Sequence, residues 1–310
     1  MVKRFAIGAE RNEKGISKMT DVAKKSASVK IVYPIQSVME GEGFIVNRAF
    51  PRRGLSFIDP FLLLDELPPR PLLPGEAKGT PPHPHKGFEI LSYVLKGAMT
   101  HEDSLGNKAA LNEGDVQWMT AGRGIVHKEQ PSDDLKRNGG IWQGFQVWIN
   151  LPASKKNIEP GYQEIRASEI PTYHGEGFSV KILVGSAFGI TSPIQPHTPV
   201  EYHHYTLAPK ATVEVAVHQE HNTFLYPLSG AFQIGELEVA RGVLPLLDKD
   251  GDRVMLVNPS AEEPAEFIFF SGKPLNEPVA RYGPFVMNSE VELERAFYEF
   301  QTGQMGVLTD

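Results

Sequence analysis

Glu89-Ile90-Leu91-Ser92-Tyr93-Val94-Leu95, followed by Lys96-Gly97, a loop at Asp103-Ser104-Leu105-Gly106-Asn107 and then Asp115-Val116-Gln117-Trp118-Met119, reads as strand, turn, loop and strand. Short apolar runs bounded by glycine, asparagine and aspartate have the spacing of an antiparallel barrel or sandwich. A weaker copy lies downstream, where Thr223-Phe224-Leu225-Tyr226-Pro227-Leu228-Ser229-Gly230-Ala231-Phe232 parallels Ile90-Leu91-Ser92-Tyr93-Val94-Leu95-Lys96-Gly97-Ala98-Met99. Asn112-Glu113-Gly114-Asp115 opens a strand behind the first copy and Lys249-Asp250-Gly251-Asp252 behind the second, so a duplicated β unit is expected.

The rest of the composition agrees with an all-β chain. Its 310 residues exceed what one hydrophobic core usually serves, and 25 prolines and 29 glycines are scattered among the apolar runs as turns between strands. The formal charge of −7 is spread along the sequence, which argues against direct nucleic-acid binding and against an anionic membrane surface. No apolar run is long enough to span a bilayer, the N-terminus lacks the apolar centre of a signal peptide, and a cytoplasmic monomer is expected, with nuclear residence open to a eukaryotic chain. With no cysteine, disulfides and thiolate sites are excluded, and His, Asp and Glu remain as metal ligands.

Residues 1–30, with eight Lys and Arg against Glu10, Glu13 and Asp21, predict a flexible basic extension. The stretch from 151 to 175, with Pro152, Pro160 and Pro171, predicts a linker packed on the surface. One helix is predicted over 289–302: Ser289 and Glu292 form a capping box, Leu293, Ala296, Phe297 and Phe300 make an apolar stripe, and Gly303 stops it. Such a stripe needs a barrel wall to cover.

Two histidine-bearing segments carry the chemistry. Pro81-Pro82-His83-Pro84-His85-Lys86-Gly87-Phe88-Glu89 places His83 and His85 at i and i+2, hence on one face of an extended strand. Gly122-Arg123-Gly124-Ile125-Val126-His127-Lys128-Glu129 does the same with His127 and Glu129. His-Pro-His alone is more often a solvated loop than a site. Two such pairs across a turn-rich β segment describe one site.

These segments, together with Gly114-Asp115-Val116-Gln117-Trp118-Met119-Thr120-Ala121 before the second, Asp59-Pro60-Phe61-Leu62 upstream, and Leu275-Asn276-Glu277-Pro278 and Gly283-Pro284-Phe285-Val286-Met287-Asn288 downstream, resemble the signature of the pirin family within the cupin superfamily. The resemblance implies a bicupin of two antiparallel jelly-roll barrels, over 31–165 and 166–310. It also implies one metal ion in the first barrel, iron in pirins, held by His83, His85, His127 and Glu129, with the second barrel metal-free. The general cupin pattern would use Glu89 as the acidic ligand, and an unbroken strand would put it on the face of His83 and His85. The pirin pattern gives that role to Glu129 and leaves Glu89 a supporting or strand-end carboxylate.

Nitrogen and oxygen ligands suit Fe(II) and admit Mn, Ni, Cu or Zn. The activity implied is that of a quercetin (flavonol) 2,3-dioxygenase, taking dioxygen and a flavonol-like molecule, with Glu129 as the catalytic base. The alternative implied by the family is a redox-sensing coregulator acting through a protein partner. Among the other histidines, His101-Glu102-Asp103 reads as a solvated loop, and neither His203-His204 nor His218-Gln219-Glu220-His221 repeats the spacing of the first site. Trp118, Trp142 and Trp148 read as core or pocket wall.

Overall fold

The computed structural model describes residues 25–41 and 43–308. Two seven-stranded antiparallel sheets face each other. The first runs in the order Gly161–Ile165, Val116–Thr120, Phe88–Lys96, Gln143–Asn150, Phe61–Leu67, Phe44–Phe50 and Gln36–Glu40. The second runs Val29–Pro34, Val243–Leu247, Asn222–Ser229, Ala265–Gly272, Val200–Leu207, Phe178–Val184 and Thr172–Gly175. Each is closed into a jelly-roll barrel by a four-stranded sheet. In the first barrel this is Thr80–His85, Ile125–Pro131, Met99–Asp103 and Lys108–Leu111, and in the second Thr212–Ala216, Arg253–Val257, Ala231–Ile234 and Leu237–Ala240. The two orders match place for place, which makes the chain a bicupin.

The strands of the sequence echo, Phe88–Lys96 and Asn222–Ser229, are both third in their sheets. The second half of the echo is out of step. Gly114-Asp115 leads into a large-sheet strand, whereas Gly251-Asp252 leads into Arg253–Val257, the counterpart of Ile125–Pro131 in the small sheet. A glycine–aspartate turn marks any tight reversal and does not say which sheet follows.

The strand Phe88–Lys96 is apolar on both faces because both are buried. Leu91 and Tyr93 point into the core between the large sheets, with Phe50, Tyr202, Phe224 and Phe270, while Ile90 joins Leu63, Phe88, Met119 and Trp148 inside the first barrel. The second barrel is filled by Tyr205, Phe232, Phe267 and Phe269. Between the barrels, the fully buried Glu66 carboxylate accepts hydrogen bonds from Arg241 (2.7 Å to each oxygen), Tyr226 (2.9 Å), Gln143 (3.0 Å) and Asn47 (3.1 Å).

Both ends of the chain cross the division at 165. Val29–Pro34 pairs with Val243–Leu247 and so edges the second sheet, in the place that Gly161–Ile165 takes in the first. That last strand sits in the stretch read as a surface linker, which therefore supplies an edge of the first sheet. The extension expected over 1–30 lies outside the described residues as far as position 24. From Lys25 it is docked: Ala27 is buried and donates to the Arg253 carbonyl at 2.6 Å, and Ser28 and Lys25 meet Asp250 at 2.9 and 3.1 Å.

At the other end, the helix Glu290–Gln301 starts at Ser289, whose side chain accepts from the Glu292 amide while Glu292 accepts from the Asn288 amide at 2.9 Å. Leu293 and Ala296 pack with Val126, Ala280, Phe285 and Met287 against the first barrel. Phe297 is partly buried, and Phe300, expected in the apolar stripe, is 39% exposed, because it falls in the last turn where the helix runs past the barrel.

Candidate metal centre

His83 and His85 on Thr80–His85 lie beside His127 on Ile125–Pro131, with His127 directly paired to His83. Ring centroids are 4.7 Å apart for His83 and His85, 4.3 Å for His83 and His127, and 4.9 Å for His85 and His127. One ring nitrogen from each of the three falls within 4.8 Å of the others. The Nδ1 atoms of His83 and His85 face the carbonyls of Pro81 (2.8 Å) and Pro284 (3.4 Å), an arrangement that leaves Nε2 of each free to ligate. His127 is fully buried, and neither of its ring nitrogens has a hydrogen-bond partner.

Glu129 stands slightly apart. The pairing of Ile125–Pro131 with Thr80–His85 shifts register between His127 and Glu129, and the Glu129 carboxylate clusters with His127 and with His101, opposite it on Met99–Asp103. Its oxygens accept from Ser92 (3.1 Å), Gln146 (2.8 Å) and Gln117. Trp148 donates to Gln146, and the Tyr162 hydroxyl donates to Gln117, so the carboxylate is framed by a shell of amides and aromatic donors.

His101 is a correction to the sequence reading. It is fully buried, stacks on Tyr162 at 4.8 Å, and has Nε2 3.1 Å from Asp103. The solvated turn begins only after Asp103, whose carboxylate accepts from the Leu105 and Asn107 amides. The alternation of His101 and Asp103 was the available signal, masked by the glycine turn beyond it.

Glu89 does not join the cluster. The chain turns at Lys86-Gly87, so His85 and Glu89 lie on strands of different sheets. Gly87 has φ +88°, and a Cβ there would overlap the Val286 carbonyl oxygen. Glu89 accepts instead from Trp118 (3.0 Å), Thr120 (2.9 Å) and the His197 amide (3.1 Å), with the His197 ring 2.8 Å away. Lys156, unremarked in the sequence, fixes the same turn. Its buried ammonium donates to Gly87 (2.8 Å), Val286 (3.0 Å) and Asn150 (2.7 Å), and burial pushes it down to about 7.

Above the histidines opens a cavity of about 420 Å³, lined by Leu63, Phe145 and Trp148 and by Glu129, Arg48 and Arg281. Arg281 lies over the Trp148 ring at 4.8 Å, and Trp148 stacks on Phe88 at 4.4 Å. Trp142 also lines it, whereas Trp118 belongs to the inter-barrel core.

Burial holds His85 and His127 well below the ordinary histidine range, and the neighbouring imidazoles push the same way. Both are then neutral at pH 7, the form that ligates. Below about pH 6.5 an unfolded chain takes up protons that these folded histidines refuse, so stability is full above that pH and is lost as the pH falls toward their folded values. His203 and His221, each held to about 4, add to the slope. The metal-free protein is expected to melt at progressively lower temperature from pH 6.5 to about pH 5. Bound metal should add stability that shrinks as the pH falls toward those folded values, where protons compete with the ion for the same nitrogens. A metal-induced rise in melting temperature that stays constant down to the acid limit of folding in calorimetry would show that these histidines are not the ligands.

In the second barrel the strands matching Thr80–His85 and Ile125–Pro131 carry buried Val213, Val215, Val254 and Leu256, which offer no donor atoms. His204 faces the first barrel, with Nδ1 3.0 Å from the Tyr93 hydroxyl, and His221 Nδ1 is 3.0 Å from the Ser271 hydroxyl.

Comparison with known proteins agrees with this architecture. The Pirin family model matches residues 43–149, and the model of the Pirin C-terminal cupin domain matches 202–306. Pirin-like protein 2 of Arabidopsis thaliana is 36% identical over 310 residues, covering 97% of this chain and 92% of its own. Pirin of Homo sapiens is 37% identical over 288 residues, covering 92% and 95%. A crystal structure of quercetin 2,3-dioxygenase from Acinetobacter baumannii superposes with a TM-score of 0.83 at 31% identity, over 92% of this chain and all of that one.

Proposed function

The chain belongs to the pirin family, and from that premise we propose that its first barrel is a metal-dependent dioxygenase site that opens a flavonol of the quercetin type. The observation that carries the reading is His127, buried with two unpartnered ring nitrogens beside His83 and His85, which line an aromatic-walled cavity. A buried imidazole with no partner is costly unless something meets it. Three imidazoles and a carboxylate fit a divalent transition ion, Fe(II) before Mn, Ni, Cu or Zn. When bound, such an ion supplies Lewis acidity toward a substrate oxygen and redox chemistry toward dioxygen.

The residues do the rest. His83, His85 and His127 hold the ion, with Glu129 at or near it. A flat polyphenol lies against Trp148 with its 3-hydroxyl toward Glu129, which takes that proton. Ser92, Gln117 and Gln146 hold the Glu129 carboxylate by its two oxygens, which sets where the proton goes. The deprotonated flavonol is then electron-rich enough to react with dioxygen, and its central ring opens with loss of carbon monoxide.

The test is oxygen uptake by the iron-loaded chain with quercetin, followed alongside the flavonol absorption. Oxygen and absorption should fall together, and Glu129→Gln should slow both by about 10²-fold or more. A spectral shift without oxygen uptake is chelation only. With metal present, that result would turn the assignment to a non-catalytic sensor.

A further inference from the structure

The second barrel has a cavity of its own, about 270 Å³, at the mouth equivalent to the larger one. One wall is the strand Val200–Leu207, which occupies the place of Phe61–Leu67 in the first barrel. Its alternation sends Tyr202 into the inter-barrel core and turns Glu201, His203 and Tyr205 inward. Phe269 on the neighbouring strand stacks parallel to His203 at 5.8 Å, and Phe188 closes the rim.

Two buried polar groups in this wall lack partners. The Tyr205 hydroxyl makes no hydrogen bond. Neither ring nitrogen of His203, itself 1% exposed, makes a well-aligned one either: its Nε2 is 3.3 Å from a Glu201 oxygen, and the ring otherwise faces only the Val184 backbone. Native interiors rarely leave such groups unmet.

The charges around them are lopsided. Glu201, Glu214 and Asp252 line the cavity against one guanidinium, Arg253, which is held by Glu214 at 2.9 Å and lies 3.5 Å from Asp252. Glu201 is left with imidazoles alone, His203 at 3.3 Å and the exposed His218 at 3.8 Å. Burial without a counter-ion pushes its carboxyl up to about 7. An anion entering here would meet uncompensated acids. Among the described residues, the donor atoms of Glu201, His203 and His218 do not gather as the first barrel's histidines do.

We propose that the second barrel is a separate binding site for a small organic ammonium ion, a primary amine on a compact apolar body. The ammonium has three donors and no acceptor, which suits the Glu201 carboxylate with His203 and Tyr205 as neighbouring acceptors. The apolar body lies against Phe269 and Phe188, where the ring faces also favour a cation. The site is independent of the reaction in the first barrel.

Calorimetric titration of the metal-loaded full chain with benzylamine tests this, with benzyl alcohol and benzoate as matched probes. Saturable one-to-one binding of the amine is expected, weaker for the alcohol by about tenfold or more and undetectable for benzoate. Glu201→Gln should weaken the amine by a similar factor while metal content and melting temperature hold. Val215→Phe, which enlarges an inward-facing side chain on the opposite strand, should do the same if Glu201→Gln fails to fold. No heat at millimolar amine, equal binding of the alcohol, or binding that survives in a folded variant would overturn the proposal. The last outcome would place the amine in the first barrel.

Discussion

His127→Ala is expected to emerge from purification with its transition metal reduced by at least about tenfold against wild type, measured by elemental analysis, since even outer partners of a ligand typically matter by about that factor. The reason lies in its surroundings. His83 is partly exposed and rests on a local carbonyl, so part of its environment survives without metal. His127 has no such alternative: both ring nitrogens are buried and unmet, and its neighbours on either side are other imidazoles. Glu129→Gln should also lower metal retention or reactivity, because it removes the one carboxylate beside the cluster. Glu89→Gln should leave metal content unchanged and loosen His197 instead. Undiminished metal in His127→Ala, or a larger loss from Glu89→Gln than from Glu129→Gln, would mean the ion sits elsewhere.

Glu66→Ala is expected to destabilise the protein by about 3 kcal/mol, seen as a lower denaturation midpoint. Five hydrogen bonds converge on this carboxylate, and two of the donors, Tyr226 and Arg241, come from the second barrel. Truncation leaves the Tyr226 hydroxyl buried without an acceptor and Arg241 without its counter-ion. Arg241 keeps some access to water, which limits the loss. Metal content should hold, because Glu66 touches none of the histidines. A midpoint within experimental error of wild type would show that the barrels adhere through apolar contact alone.

The sequence made the local features legible and the long-range ones not. The β class, the capped C-terminal helix and the pairing of His83, His85 and His127 follow from alternation and spacing within short stretches. Those are properties of one strand and its turn. His101 was hidden because burial of a strand's last residues depends on what covers them, here Tyr162 from a stretch that reads as linker. The face that an unbroken strand would give Glu89 is lost at Gly87, where the chain passes from one sheet to the other. Gln117 and Gln146, which set the orientation of Glu129, carry no signal in isolation: a glutamine in a strand is ordinary until its partner across the barrel is known.

The edge strand Val29–Pro34 bears on how the molecule comes into being. During synthesis it leaves the ribosome before anything it will touch, and Val29 finds its partner only once Leu247 has been made. The first barrel's outer coat, the helix Glu290–Gln301, arrives later still. Neither half can finish before the segments it borrows from the other have been made, so the duplication visible in the strand orders has not left two autonomous modules. A gene fragment encoding one repeat would yield a barrel with an open sheet edge or a bare apolar wall, because each end of the described chain completes the other half.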